Sequence, residues 1–163
     1  MCSSDLFTTD RAPAAVADAA GDIMLFGKNQ TTREVFLNNF AVQPAPAVPA
    51  PGDEQREWTG WQRPPGSPLT AQALSCCTHN RKVYAFAVQI NGQIAHKFFM
   101  PNESENTVVP WAVVPGGATS LQTGTAVSSA LVNGRLVLCA ADRGGNVMLN
   151  ELAPGGQIGR AHV

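Results

Sequence analysis

The sequence predicts an all-β chain that forms a partial β-propeller of about three blades, each made of four short antiparallel strands. The first observation is an internal repeat: residues 70–99 return without a gap 53 residues later, as residues 123–152. The second is that the apolar runs are strand-length, at about four to eight residues, with no helical periodicity over about 11 residues. Four short strands repeated roughly every 50 residues is the period of a propeller blade.

Identical residues align the two copies of the repeat in the first strand and at the turns. The matched pairs are Thr70 with Thr123, Ala73 with Ala126, Ser75 with Ser128, Asn80 with Asn133 and Gly92 with Gly145. A looser copy lies upstream, where residues 21–26 take the place of residues 81–86. The predicted organisation is therefore an incomplete propeller over residues 7–157, with repeats at about 14–67, 68–120 and 121–157.

Each repeat is read as strands joined by polar or glycine-containing turns. The predicted strands are 14–19, 23–26, 34–38 and 57–63, then 71–77, 82–89, 93–99 and 108–114, then 126–131, 135–141 and 146–152. Asn91-Gly92 is a strong hairpin signal. A Pro/Ala-rich stretch at 43–53 is predicted to be an exposed loop, because proline cannot donate to a strand ladder, and residues 101–106 are predicted to be a second loop.

The second strand of the central repeat predicts that the blades pack face to face on one another. Val83, Ala85 and Ala87 alternate with Tyr84, Phe86 and Val88, so both faces of this strand are apolar. A strand that is apolar on both faces is covered on both faces. A β-sandwich is the alternative all-β fold, but it does not account for the gapless repeat. Three blades leave blade faces open, so self-association that covers them is expected.

Composition excludes several classes of partner. The net charge is −1, which gives no electrostatic reason for nucleic-acid binding. No apolar run reaches the roughly 20 residues of a membrane span. With 44% hydrophobic and 14% charged residues, the chain is globular rather than disordered.

The two ends share an unusual relationship. Residues 1–5 can be encoded by a nucleotide string whose reverse complement encodes residues 158–162. This inverted match resembles a sequencing-library adapter read at both ends of an insert, so residues 1–6 and 158–163 are predicted to be non-native. Localisation is then left open, secretion of a longer parent included.

The cysteines give no support for a metal site. With Cys2 set aside, Cys76, Cys77 and Cys139 remain, and none forms a CxxC motif or a Cys/His cluster. Adjacent residues on a strand point to opposite faces, so Cys76 and Cys77 should separate into two buried, inert thiols. No metal or cofactor is expected.

The tryptophans are the candidate ligand-binding residues. Trp58 and Trp61 sit three apart on a short predicted strand, so they are expected to point to opposite faces, with Arg63 as a polar neighbour. Trp111 repeats Trp61 at a spacing of 50 residues. An indole face stacks well on the C–H face of a sugar. The alternative is that these rings are structural spacers.

No catalytic constellation is found, so a binding role is favoured over catalysis. No nucleophile–base pair or phosphate-binding loop has motif support. His79 lies in a predicted turn and should be solvated. His96 falls on Leu149 of the next repeat, and it is therefore expected to be a core histidine with its polar atoms satisfied.

The segment Trp58-Thr59-Gly60-Trp61 followed by Pro65-Gly66, with the strand order that comes after it, resembles the repeats of bacterial seven-bladed β-propeller lectins of the fucose-binding, PLL-like kind. The resemblance covers almost all of residues 7–157. It implies sugar binding between adjacent blades, with a fucose-like or other monosaccharide as partner and Trp58, Trp61, Arg63 and Trp111 as the ligand-binding residues. The second copy departs from the pattern, because Val108 replaces the first Trp and Ala112-Val113 replace Gln62-Arg63.

Two other functions stay open at this point. The chain could be the propeller part of a glycoside-processing enzyme, or it could be a non-catalytic scaffold for protein interactions, since a fold does not fix a function.

Overall fold

The computed structural model describes residues 7–18, 20–42, 56–100, 110–114, 123–152 and 158–161, and these form an all-β architecture. The predicted loops at 43–53 and 101–106, and Val108, lie outside the described residues. Within them, no helix has the length and hydrophobicity needed to cross a bilayer.

The strands form three four-stranded antiparallel sheets, each in simple sequential order. Sheet 1 contains β1 (Ala14–Ala17), β2 (Ile23–Lys28), β3 (Val35–Val42) and β4 (Arg56–Trp58). Sheet 2 contains β5 (Ser75–His79), β6 (Lys82–Val88), β7 (Ile94–Phe99) and β8 (Ala112–Val113). Sheet 3 contains β9 (Ser128–Val132), β10 (Arg135–Ala141), β11 (Val147–Leu152) and β12 (Ile158–Ala161).

The first strand of the central unit begins later than predicted, at Ser75 rather than at residue 71. The reason is a local turn: the buried Thr70 hydroxyl accepts a hydrogen bond from the Gln72 amide at 3.2 Å, which keeps this stretch out of the ladder. Thr123 repeats the turn, because its hydroxyl accepts a bond from the Thr125 amide at 3.0 Å. The matched threonines therefore stabilise the same turn in the two repeats.

β12 lies within the C-terminal segment that was predicted to be non-native. It pairs with β11 from Leu149↔Ala161 to Leu152↔Ile158 and supplies the fourth strand of sheet 3. The origin of both chain ends stays a prediction.

Side-chain alternation gives every sheet two distinct faces, which we call the previous face and the next face. On sheet 2, Val83, Ala85 and Ala87 form the previous face, which packs against sheet 1. On the same sheet, Phe86 and Val88 belong to the next face, which packs against sheet 3. All five residues are at most 2% exposed, so the central sheet is covered on both sides as predicted.

The first strands of the three sheets lie side by side at the centre of the structure, where β5 contacts both β1 and β9. The Ser75 and Ser129 hydroxyl oxygens are 2.6 Å apart, and the Thr78 hydroxyl donates to the Ala17 carbonyl at 2.5 Å. Sheets that meet along their first strands and stack face to face are blades of a propeller. The predicted fold class, three blades of an incomplete propeller, is confirmed.

Candidate functional site

Trp58 is the most exposed aromatic side chain on sheet 1. It ends β4 opposite Phe40 of β3, with ring centroids 5.1 Å apart and 46% of the residue exposed. Phe40 in turn pairs with Ile23 on the far side of β3. Because Ile23 alternates with the inward-facing Met24, Trp58 lies on the previous face of sheet 1. Among the described strands, no other sheet covers this face.

A β-bulge places Trp61 on this same face. The Thr59 amide donates to the Asn39 carbonyl, and the next pairing joins Leu37 to Gln62, so Gly60 and Trp61 together oppose the single residue Asn38. Gly60 has φ +86°, a conformation that suits glycine at such a bulge. The prediction that Trp58 and Trp61 point to opposite faces is therefore wrong, because the extra residue resets the alternation.

The previous face of sheet 1 carries two groups of rings, which together we call the aromatic face. Trp61 stacks on Phe7 with centroids 4.0 Å apart and an interplanar angle of 19°, and Phe7 contacts Phe36 at 5.3 Å. The members of the aromatic face are Phe7, Phe36, Asn38, Phe40, Trp58 and Trp61.

Polar groups stand between and beside these rings. Asn38 lies between Phe36 and Phe40 on β3, and its buried Oδ1 has no hydrogen-bond partner in the described part of the chain. No described residue lies within 4 Å of the position that a Cβ on Gly60 would take. Arg63 forms an exposed ion pair with Glu34, in which Nη2 is 2.8 Å from Oε1.

Trp111, the fourth predicted site residue, does not lie on the aromatic face. It is half-buried against the hydrophobic core between sheets 1 and 2, and its Nε1 is buried with no partner among the described residues. Ala112 pairs with His96 as Gln62 pairs with Leu37, so Trp111 and Trp61 hold equivalent places on successive blades. The structure thus brings Trp58, Trp61 and Arg63 to sheet 1 and separates Trp111 from them.

Sequence reasoning missed a polar position that recurs on the third strand of every blade. The three residues that occupy this position are Asn38, Lys97 and Asn150. They are equivalent because each lies on the previous face of its sheet, opposite Leu25, Ala85 and Leu138 respectively. Lys97 is 1% exposed and Asn150 is 2% exposed. The gapless repeat aligns Lys97 with Asn150, so the signal was present, but the burial of this position was not visible in the sequence.

Lys97 is the least usual of these residues. Its Nζ is buried without a hydrogen-bond acceptor in the part of the chain that the structure describes, and it lies 5.3 Å from the Phe99 ring centroid. Burial lowers the pKa of Lys97 below its ordinary value. The contact with the ring face offsets part of the cost of burying the ammonium group.

His96 faces sheet 3, and its environment is apolar as predicted. Its ring lies 6.2 Å from that of Phe86, and burial lowers the pKa of the imidazole. The expectation that its polar atoms are satisfied is wrong, since Nδ1 is buried without a partner among the described residues. His79 is half-buried at the end of β5, and its Nε2 is 3.0 Å from Nδ2 of Asn80.

Cys76 and Cys77 separate as predicted, towards the sheet 1 core and the sheet 3 core respectively. Both thiols and that of Cys139 are free. Burial raises the pKa of Cys76 to about 12, and it raises that of Cys77 as well. In the described ranges, no group of three or more His, Cys, Asp or Glu side chains is arranged to hold a metal ion.

Comparison with known proteins finds similar solved structures. No protein-family model and no curated protein matches the chain. A solved structure of a fucose lectin from Kordia zhangzhouensis in complex with methyl-fucoside is similar, with a TM-score of 0.49 and 11% sequence identity over 93% of this chain and 99% of that chain. The interpretation of the chain ends as adapter sequence has no support from these comparisons.

Proposed function

We propose that this chain binds carbohydrate on the aromatic face of sheet 1. The observation that carries the proposal is the exposed indole of Trp58, 46% accessible and supported from behind by Phe40. A flat, rigid indole loses little conformational entropy when a sugar C–H face stacks on it, and its N–H can donate to a sugar hydroxyl.

The neighbouring groups suit the same ligand. The bulge at Gly60 leaves space beside Trp61 that no described residue fills. Trp61 is fixed by its stack on Phe7 and provides a second wall. Arg63 is committed to Glu34, so its role in this proposal is to hold the edge of the face rather than to contact the sugar.

The test is a titration with methyl fucoside and a panel of other methyl monosaccharides, followed by saturation-transfer NMR and tryptophan fluorescence. We expect millimolar or tighter binding by at least one sugar, and a loss of at least about fivefold in affinity in Trp58→Ala. Trp58→Phe, which keeps a stacking ring, should retain more of the affinity than Trp58→Ala.

Ile90→Ala provides the matched control, because Ile90 is equally apolar and 61% exposed but lies in a turn of sheet 2. Its affinity should equal that of the wild type. Absence of binding by every sugar in the millimolar range, or equal affinities in wild type and Trp58→Ala, would contradict the proposal.

A further inference from the structure

Two buried hydrogen-bond donors lie between sheets 1 and 2 without an acceptor. The first is the ammonium group of Lys97, a residue that is 1% exposed, and the second is the indole N–H of Trp111. Neither donor has a hydrogen-bond partner in the ranges that the structure describes. Most buried polar groups in proteins do have a partner, so the presence of two unpaired donors in one interface requires an explanation.

The two donors lie on the same face of adjacent strands. Ala112 pairs with His96, so the same register places Trp111 opposite Lys97. Residues opposite each other on one face of a sheet have Cβ atoms about 4.5–5.5 Å apart. Trp111 packs on the core between sheets 1 and 2, and the Lys97 Nζ lies 5.3 Å from the ring centroid of Phe99 in that core. One small ligand can therefore accept hydrogen bonds from both donors.

A second buried lysine shows which acceptor suits a buried ammonium group. Lys28 is 4% exposed, and its Nζ is 2.6 Å from Oδ1 of Asp10. A carboxylate beside a buried ammonium group offsets the cost of burying the charge, and its other oxygen can accept a further hydrogen bond. Lys97 is as deeply buried as Lys28, but no described carboxylate accompanies it.

The two donors are reached from the side of β8. Trp111 is half-buried, and Ala112 and Val113 after it are exposed. A strand of two residues with exposed side chains opens locally at low free-energy cost. The opposite side of the interface is closed, because Val83 and Ala85 are both 0% exposed. The route therefore admits a small ligand.

We propose that the interface between sheets 1 and 2 binds a small carboxylate, whose two oxygens accept hydrogen bonds from the Lys97 ammonium group and the Trp111 indole N–H. The carboxylate neutralises the buried charge, and its planar shape presents one oxygen to each donor. This site is separate from the aromatic face, since sheet 1 lies between them. Its ligand is an anion, whereas the sugar proposed for the aromatic face is neutral.

The test is urea denaturation of the whole chain at increasing concentrations of sodium acetate, with sodium chloride added to hold the ionic strength constant. A ligand that binds only the folded chain raises its stability. We expect the denaturation midpoint of the wild type to rise with acetate and that of Lys97→Met to stay constant. Methyl acetate, which carries no charge, should leave both midpoints unchanged. A wild-type midpoint that does not respond to acetate would overturn the proposal.

Titration calorimetry with acetate then assigns the binding to the two donors. We expect Lys97→Met to lose at least about tenfold in affinity, and Trp111→Phe, which keeps a ring but lacks the N–H, to lose about three- to tenfold. Lys28→Met is the matched control, because it removes a buried ammonium group that already has a carboxylate, and its affinity for acetate should equal that of the wild type.

Equal acetate affinities in the wild type and Lys97→Met would mean an adventitious ion only, and the proposal would be wrong. If Lys97→Met does not fold, Trp111→Phe decides the question, since an affinity equal to that of the wild type contradicts the role of the indole N–H.

Trp58→Ala separates this site from the carbohydrate proposal. It should bind acetate as tightly as the wild type, and a loss of acetate binding in this variant would contradict the separation of the two sites. Acetate binding without sugar binding leaves the carboxylate site standing and refutes the carbohydrate proposal. Sugar binding without acetate binding does the reverse.

Discussion

At the scale of single residues, one glycine decides what the candidate site can be. Gly60 forms the bulge that turns Trp61 onto the face already occupied by Trp58. Without the extra residue, strand alternation would direct the second indole into the core between sheets 1 and 2. In the next blade, Trp111 lies on the equivalent previous face, and it is half-buried because sheet 1 packs against that face.

A second residue-scale feature is the turn between β5 and β6. Asn80 and Arg81 both have positive φ, +49° and +62°, while the equivalent turn between β9 and β10 uses Asn133 and Gly134. A left-handed conformation costs a non-glycine residue about 1–2 kcal/mol. We predict that Arg81→Gly raises the free energy of unfolding by about 1 kcal/mol, measured by urea denaturation.

The reverse substitution in the other repeat is the matched control for this turn. Gly134→Arg places a side chain at φ +74° and should lower the free energy of unfolding by a similar amount. Two substitutions that change stability in the same direction would contradict the explanation from backbone strain.

His96 predicts a dependence of stability on pH. Its pKa is lowered by burial, so between pH 7 and pH 5 the unfolded chain binds more protons at this residue than the folded chain. Stability is therefore complete above the unfolded pKa of about 6.5 and falls as the pH drops below it. Cys77 and Tyr84 pack against the same core with raised pKa values and stay neutral in this range.

The variant that checks this is His96→Leu, since leucine stands at the equivalent places 37 and 149 on the neighbouring blades. We expect a smaller loss of unfolding free energy between pH 7 and pH 5 than in the wild type. Equal losses in the two proteins would show that His96 does not couple to folding.

At the scale of strands, the third strand of each blade carries one polar residue into the face that meets the preceding blade. Two buried lysines can be compared for the free-energy cost of burying a charged group with and without a partner. Lys97 of β7 is buried without a hydrogen-bond acceptor among the described residues, whereas Lys28 of β2, 4% exposed, has its Nζ 2.6 Å from Oδ1 of Asp10. An unpaired buried ammonium is costly, and a paired one much less so.

We predict that Lys97→Met raises the free energy of unfolding by about 1–2 kcal/mol, because methionine fills the same apolar channel without a charge. Lys28→Met removes an ion pair instead and should give no such gain. Denaturation of both variants at neutral pH measures the difference. A destabilised Lys97→Met would indicate that the ammonium group holds a partner that the fold requires.

At the scale of the whole molecule, the three blades share two hydrophobic cores, and the central blade belongs to both. Each end blade has one core and one face that no other described sheet covers.

Much of the architecture follows from local signals in the sequence. Two-residue alternation, turn residues and a gapless repeat determine the number of blades and most of their strands, and β10 has the predicted bounds of 135–141. These signals depend only on neighbours along the chain, because strand period and turn conformation are local properties. The sequence also singled out Trp58 and Trp61 through their spacing and their echo at Trp111.

Only the tertiary structure decided how these side chains are used. The bulge at Gly60 is defined by which residues of β3 oppose it, and Arg63 is committed through an ion pair with Glu34, 29 positions away in the chain. Whether Lys97 is solvated or buried depends on the blade that covers it. Alternation along a strand determines which side chains share a face, but only the packing of one sheet on the next determines which faces are covered.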